Sequence, residues 1–193
     1  MISALLIRQT SASIAMAMML IGLSIGDVIL GEGTKAAAPD TPAAVPEYAL
    51  KAAFLYNFAL FTTWPDRYEK LLHLCVLGRD PFGTALDSLV GKDANGARIT
   101  VSRLRNLNEA VRSCQIIFVT DADVDAFVAQ TAGASPVKGV LTIAEREGAA
   151  RAGIMIELIS ENGKISFEFN QMNADKSGVT VSSKLLRLAR KIY

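Results

Sequence analysis

Short apolar runs alternate with longer mixed segments between residues 71 and 152 of the chain. Runs of about four to eight apolar residues are typical of buried strands, and the longer segments between them are typical of helices. The apolar runs predict strands at Leu71–Leu77, Ile99–Arg103, Gln115–Thr120 and Val137–Ile143. The intervening segments predict helices at Phe82–Val90, Leu107–Arg112, Asp121–Thr131 and Ala144–Ala152.

The last part of the chain predicts a hairpin and a final helix. Strands at Ile154–Ser160 and Lys164–Asn170 are joined by Glu-Asn-Gly at 161–163, which is a hairpin signal. Ser182 or Ser183 begins an amphipathic helix that extends to Ile192. Because strands that alternate with helices form parallel sheets, the predicted fold class is α/β. It is a mostly parallel, mixed sheet with helices on both faces and an antiparallel edge hairpin.

An aromatic helix precedes the first of these strands. It is predicted over Tyr48–Thr63 and ends at Trp64-Pro65, since the residue before proline disfavours helical dihedrals. Apolar residues cover almost its whole circumference. Such a helix lies either at the centre of a core or in a surface shared with a partner, and both alternatives stay open. The candidate partner contacts are Phe58, Phe61 and Trp64.

The first 46 residues have a different pattern. Arg8 is the only charged residue among the first 26, and the apolar run Ala12–Ile25 has the length of a signal-peptide core. We predict a signal peptide at 1–26, with cleavage as late as residue 38, then a Pro/Ala-rich linker at 27–46 and a folded domain at 47–193. The alternative is a retained N-terminal anchor, extended by Val28-Ile29-Leu30.

Charge and cysteine content restrict the partners and the compartment. The net charge of +1, without a polybasic cluster, argues against nucleic acid and against a lipid surface as partners. The two cysteines, Cys75 and Cys114, both lie in the predicted exported domain. An even pair in an oxidising compartment predicts a disulfide, and two buried free thiols are the alternative.

The residues that enzymes and metal sites need are scarce. The single histidine, His73, lies alone in the first predicted strand, so neither a zinc site nor a Ser-His-Asp arrangement is predicted. Asp121, Asp123 and Asp125 lack the glycine and glutamate of a calcium loop and are better explained as a helix start. We therefore expect no enzyme activity, no metal and no cofactor.

One turn is a candidate for ligand binding. Arg79 and Asp80 follow the first predicted strand, and ligands of parallel sheets bind at the carboxyl ends of strands. An ordinary solvated turn is the alternative interpretation.

Two segments at opposite ends of the domain resemble one family. The segment 48–65, YALKAAFLYNFALFTTWP, resembles the opening helix of the YfiR-like periplasmic proteins. Phe167-Glu-Phe-Asn170, Ser177-Gly178 and the segment 181–189, VSSKLLRLA, resemble their C-terminal signature, and the resemblance covers roughly residues 47–193.

The resemblance implies a function as well as a fold. It implies a periplasmic, homodimeric repressor that engages the periplasmic sensor domain of a membrane-bound diguanylate cyclase and so limits cyclic-di-GMP synthesis and biofilm formation. The positions of Cys75 and Cys114 match one disulfide of the family's namesake, whereas a second cysteine pair is missing here.

Two functional classes follow from this sequence. In the first, the chain is a protein-binding repressor whose aromatic helix and C-terminal surface dock on the sensor domain of an inner-membrane signalling protein. In the second, it is a sensor module that holds a small ligand at the carboxyl edge of the sheet. Candidate ligand contacts are Arg79, Asp80, Asn170, Ser182 and Ser183. An exposed apolar patch would favour the repressor, and a pocket lined by Arg79, Asn170 or Ser183 would favour the sensor module.

Overall fold

A computed structural model describes residues 46–65, 70–132 and 137–193 of the chain. These residues belong to one compact unit that runs from Pro42 to Tyr193. The predicted signal peptide and all but the last residue of the predicted linker lie outside the described residues. No helix of the described ranges is both long and apolar enough to cross a membrane.

Six α-helices and ten strands are present in the described residues. The helices are α1 (Glu47–Leu60), α2 (Leu107–Ser113), α3 (Val124–Ala132), α4 (Ala149–Ala152), α5 (Gln171–Ser177) and α6 (Ser183–Leu186), with 3-10 helices at Gly83–Leu89 and Asp121–Asp123. The strands are β1 (Thr62–Thr63), β2 (Leu71–Leu77), β3 (Asp93–Ala94), β4 (Ala97–Leu104), β5 (Ile116–Val119), β6 (Leu141–Ala144), β7 (Ile156–Glu161), β8 (Lys164–Phe169), β9 (Thr180–Val181) and β10 (Lys191–Ile192).

Eight of the strands form one mixed sheet in the order β10-β8-β7-β6-β5-β2-β4-β3. Strands β4, β2, β5, β6 and β7 are mutually parallel, and β7 and β8 form an antiparallel hairpin. The predicted α/β fold with a mostly parallel sheet and an antiparallel hairpin is confirmed. The order reverses between β2 and β5, which is the switch point where ligands of such sheets usually bind.

Alternate residues of the central strands face two separate cores. Leu74 and Val76 of β2 point to the side covered by α1 and the first 3-10 helix, here called the α1 face. Cys75 and Leu77 point to the opposite side, which carries α2 and α3 and is here called the α3 face. Because both faces of the central strands are buried, their sequences are mostly apolar, with His73 in β2 and Thr142 in β6 as the polar exceptions.

Helix α1 ends earlier than its sequence predicts. It stops at Leu60, and the predicted last helical residues, Thr62 and Thr63, instead pair antiparallel with Val181 and Thr180. Threonine is β-branched and favours extended backbone over helix, and a partner strand is available here. The prediction that the helix reaches Thr63 is wrong for this reason.

The C-terminal region differs most from the prediction. Helix α6 has four residues rather than continuing to Ile192, because the chain then extends and adds β10 to β8. Arg190 N donates to Phe167 O at 2.7 Å, and Tyr193 N donates to Phe169 O at 2.8 Å. Helix α5 was not predicted. Asn170 caps its start, and Gly178, which has a φ of 77°, ends it.

Candidate functional site

Helix α1 crosses its face of the sheet along the strands. It runs from the carboxyl ends of the parallel strands, here called the carboxyl edge, to their amino ends, here called the amino edge. At its start, the Tyr48 hydroxyl donates to Glu145 Oε1 at 2.9 Å, just beyond the carboxyl end of β6. At its end, Phe61 O accepts a hydrogen bond from Ser182 N at the amino edge of the sheet. The helix is therefore held at both edges by residues distant in sequence.

A buried lysine fixes the first turns of α1. Lys51 is only 4% exposed, and its Nζ forms ion pairs with Glu145 and, at 2.5 Å, with Glu47. Burial disfavours the charge on Lys51, but hydrogen bonds to Glu145 and Glu47 outweigh it and raise the pKa of the lysine. The hydrogen bond from Lys51 lowers the pKa of Glu47, whereas burial and Glu145 raise the pKa of Tyr48. The paired charge of Lys51 thus stabilises the packing of α1 on the sheet.

The opposite side of α1 forms an apolar stripe on the surface. With 3.6 residues per turn, five of the partly or fully exposed residues from Leu50 to Phe61 fall on one side of the helix axis, whereas the partly exposed Tyr56 and Leu60 lie on its flank. We call this set the α1 stripe, and its members are Leu50, Ala53, Phe54, Asn57 and Phe61. Phe61 is 38% exposed, and Asn57 is the only polar residue of the stripe.

The three predicted partner contacts have different environments. Phe58 is fully buried and packs edge-to-face on Phe167, with ring centroids 5.2 Å apart, so it offers no surface to a partner in this structure. Trp64 is half-buried, and its indole Nε1 donates to Gln115 O at 3.2 Å. The prediction of partner contacts therefore depends on Phe61 and Trp64. Leu50 and Phe54, which the prediction did not include, lie on the same side of the helix as Phe61. Helical spacing backward from Phe61 is the signal that identifies them.

The chain's own side chains fill the crevice at the switch point. Gly78, which follows β2, has a φ of 106°, and a Cβ there would lie 2.1 Å from Asp123 Oδ2 and 2.2 Å from Thr120 Oγ1. Asp80 accepts a hydrogen bond from Phe82 N at 2.7 Å and pairs with Arg103 Nε at 2.6 Å. Arg79 is exposed. The carboxyl-edge ligand site expected around Arg79 and Asp80 has little free volume beside Gly78.

The other predicted ligand contacts lie at the opposite edge. Asn170 caps α5 by accepting from Asn173 N at 2.9 Å, and its Nδ2 donates to Ala150 O at 2.7 Å. Ser182 caps α6 by accepting from Lys184 N at 3.3 Å, and Ser183 is exposed. These residues end strands or begin helices at the amino edge, so the structure does not bring them together with Arg79 and Asp80.

Two cavities flank the short helix α4 and share Arg151. The first, of about 530 Å³, lies between α3, the end of α4 and α5, and we call it the amino-edge groove; Asn170 lines it. The second, of about 400 Å³, lies beside the start of α4, and we call it the carboxyl-edge cavity. Its acidic lining consists of Glu145, Glu147, Glu157, Glu161 and Glu168.

Most carboxylates of the carboxyl-edge cavity have partners within the chain. Glu157 accepts from Gly148 N and Ala150 N at 2.9 and 3.0 Å, and Glu161 pairs with Arg190 at 2.9 Å. Glu168 accepts from the Tyr193 hydroxyl at 2.6 Å. Within residues 46–65, 70–132 and 137–193, no group of three or more histidine, cysteine or acidic side chains is placed to hold a metal ion.

The predicted disulfide is present. Cys75 in β2 and Cys114, two residues before β5, are bonded with their Cα atoms 6.0 Å apart, so the alternative of two free thiols is wrong. Their proximity follows from the parallel pairing of β2 with β5. His73 contacts Thr100 Oγ1 through Nδ1 at 2.9 Å, so this histidine has a hydrogen-bond partner within the sheet.

A comparison with family models agrees with the sequence resemblance. A family model described as YfiR/HmsC-like matches residues 48–190. A search of curated proteins finds no match. Among solved structures, a conserved domain protein from Vibrio cholerae O1 biovar El Tor is similar at a TM-score of 0.47 and 11% identity, covering 76% of this chain and 60% of that one. An ABC domain in complex with L-Trp from Streptococcus pneumonia has a TM-score of 0.43 and 9% identity, covering 64% of this chain and 56% of that one. The chain thus spans about 60% or less of the length of these two structures.

Proposed function

This chain belongs to the YfiR/HmsC-like family, and from this premise we propose that it represses a membrane-bound diguanylate cyclase or a related sensor. Members of this family are periplasmic regulators rather than enzymes. In the proposed mechanism, the protein binds the periplasmic domain of the inner-membrane partner, lowers cyclic-di-GMP signalling and thereby restrains biofilm formation. A homodimer is the proposed binding unit.

The α1 stripe is the observation that carries this proposal. Leu50, Phe54 and Phe61 present apolar side chains on the side of the helix that faces away from the sheet. Contiguous apolar surface with large aromatic side chains is typical of protein interfaces, and such aromatics often dominate the binding energy. The buried Lys51 pairs fix the orientation of α1, so the stripe is held rigidly before a partner arrives.

Export is part of the same proposal. We propose that residues 1–26 direct the chain to the periplasm and that residues 27–46 link the cleaved end to the domain at 47–193. The Cys75–Cys114 disulfide supports an oxidising compartment, since such bonds are rare in the cytosol. The test is intact-mass measurement of the periplasmic fraction, where a mass below 20.6 kDa is expected. A cytoplasmic protein of full mass would contradict this part of the proposal.

Substitutions in the α1 stripe test the repressor function. Phe54→Ser together with Phe61→Ser is introduced into a strain that lacks the native gene, and cellular cyclic-di-GMP is measured. Loss of repression is expected, because the exposed Phe61 and the partly buried Phe54 are removed from the stripe while the fully buried Phe58 beneath it is kept. Val90→Ser is the matched control, since Val90 is 57% exposed and lies outside both the stripe and the C-terminal segment. Normal repression by the doubly substituted protein, at normal abundance, would overturn the proposed interface.

A second candidate function is a small-ligand sensor module for another membrane signalling system. The amino-edge groove favours it, because the groove is lined by Asn170, one of the residues expected to mark a ligand pocket. The two functions are compatible, since the α1 stripe and the groove involve different residues.

A further inference from the structure

The amino-edge groove exists because one connection of the sheet is too short to cover it. The crossover from β6 to β7, residues 145–155, has a helix of only four residues, α4, which rises about 6 Å, whereas α1 on the other face has 14 residues. The uncovered space is bordered by Phe127 and Val128 of α3 and by Met172 of α5. Its volume of about 530 Å³ is within the range of small-molecule sites.

The groove has charges of one sign. Arg151 and Lys176 are its only charged lining residues, and both are exposed. In the part of the chain that the structure describes, neither side chain forms a hydrogen bond or an ion pair with another residue. The neighbouring carboxyl-edge cavity differs, because its lining has five glutamates together with Arg151 and Arg190.

The interior of the groove is apolar and adaptable. Phe127 and Met155 are buried in its floor, whereas the Met172 side chain is exposed at its rim. Met155 and Met172 are the only methionines of residues 47–193, and both line this groove. Methionine is flexible and polarisable, and it is enriched at surfaces that accept varied apolar ligands.

We propose that the amino-edge groove binds a small amphipathic monocarboxylate, with its apolar body against Phe127, Met155 and Met172 and its carboxylate between Arg151 and Lys176. Arginine and lysine together supply charge-assisted hydrogen bonds to a carboxylate, and the apolar floor supplies the burial that a larger ligand needs. This site is at the amino edge of the sheet, opposite to the edge where parallel sheets usually bind ligands. It is independent of the proposed repressor function.

Octanoate is the probe, and the methionine methyl groups are the reporters. The protein is produced in cells supplied with [¹³C-methyl]methionine, purified and titrated with octanoate. Titration calorimetry gives the dissociation constant. The resonances of Met155 and Met172 are expected to shift with a submillimolar dissociation constant, and 1-octanol is expected to bind at least about tenfold more weakly, since the carboxylate is the group that Arg151 and Lys176 recognise. Absence of shifts at both methionines with millimolar octanoate would overturn the proposal.

Matched variants separate the charge and shape contributions. Arg151→Gln with Lys176→Gln is expected to weaken octanoate binding at least about tenfold, whereas Arg105→Gln with Lys164→Gln, a pair of exposed cations elsewhere, is expected to leave it unchanged. Ala152→Phe, at an exposed position in the lining, is expected to block the groove. Equal octanoate affinity in the first double variant and in wild type, or equal affinity of octanol and octanoate, would contradict the assignment. The methionine shifts of the wild-type protein decide the matter even if a variant fails to fold.

Discussion

The two faces of the sheet are closed in different ways. On the α1 face, one helix of 14 residues and a 3-10 helix cover the central strands, and aromatic rings pack between them. Phe82 lies edge-to-face with Phe118 at 4.7 Å between centroids and with Tyr48 at 5.2 Å. On the α3 face, the helices have nine residues or fewer, a groove of about 530 Å³ stays open, and a disulfide links two neighbouring strands.

This difference separates two sources of stability within one sheet. The α1 face depends on close packing of large side chains, which makes it sensitive to cavities. On the α3 face, a disulfide joins Cys75 of β2 to Cys114, which lies just before β5. The same face has an open groove beside α4. The face with continuous packing presents a rigid outer stripe, whereas the face with short helices keeps space for a small molecule.

Truncation of matched phenylalanines is the strongest test of this comparison. Phe58→Ala on the α1 face is expected to lower the free energy of unfolding by about 3–5 kcal/mol, because it leaves a closed cavity. Phe127→Ala on the α3 face is expected to cost about 1 kcal/mol less, since the vacated space joins the open groove. Urea denaturation measures both values. Equal losses of unfolding free energy would show that the groove does not reduce the cost of truncation on the α3 face.

Removal of the disulfide tests the cross-link on the α3 face. Cys75→Ser with Cys114→Ser opens a loop with a sequence separation of 39 residues and is expected to lower the free energy of unfolding by about 3–4 kcal/mol. Denaturation with and without a reductant provides the control, because a reductant should destabilise only the wild-type protein. A double variant as stable as the oxidised wild type would show that the disulfide does not stabilise the α3 face.

The amide of Asn170 is expected to hold the wall of the groove. Asn170→Ala removes the cap of α5 and the hydrogen bond to Ala150 O, with an expected loss of about 1–2 kcal/mol. Asn170→Asp keeps the capping oxygen and should recover part of this loss. Thermal denaturation of both variants measures the difference. If the two variants are equally stable, the helix cap does not contribute.

The ion pairs of Lys51 predict the smallest effect, and it depends on pH. The lowered pKa of Glu47 means that its contribution is present above the ordinary value of 4.5 and is lost as the pH falls through the lowered pKa. The raised pKa values of Lys51 and Tyr48 give contributions that are present below their ordinary values of 10.5 and 10.0 and are lost as the pH rises through the raised values. Lys51→Met should therefore flatten the acid limb of the stability profile by less than about 1 kcal/mol, since Glu47 is half exposed.

Chemical denaturation from pH 3 to pH 11 measures this profile for the wild type and the variant, with roughly unit spacing in pH. Lys184→Met serves as the control, because Lys184 is exposed at the other end of the chain. An acid limb that is unchanged in Lys51→Met would exclude Glu47 as the partner that matters.

Local patterns predicted the strands well and the chain's contacts poorly. Strand β2 was predicted with its observed bounds, because an apolar run between polar turns has few other interpretations. The burial of Lys51 was not predictable, since its partner Glu145 lies 94 residues away along the chain. The final helix was overestimated because amphipathic spacing continues through β10, where pairing with β8 decides the conformation. The groove depends on the shortness of α4, which the sequence predicted as a helix of nine residues.

The short outer strands leave part of the sheet's border uncovered. Strand β3 has only two residues and pairs with Ala97 and Arg98 at the start of β4, so residues 100–104 of β4 have no strand on their outer side among the described residues. Unprotected borders of this kind can accept an extra strand from another chain, whereas short and charged ones discourage it. An extended peptide could therefore gain affinity through backbone hydrogen bonds along β4, and the side chains of the peptide would then set the specificity.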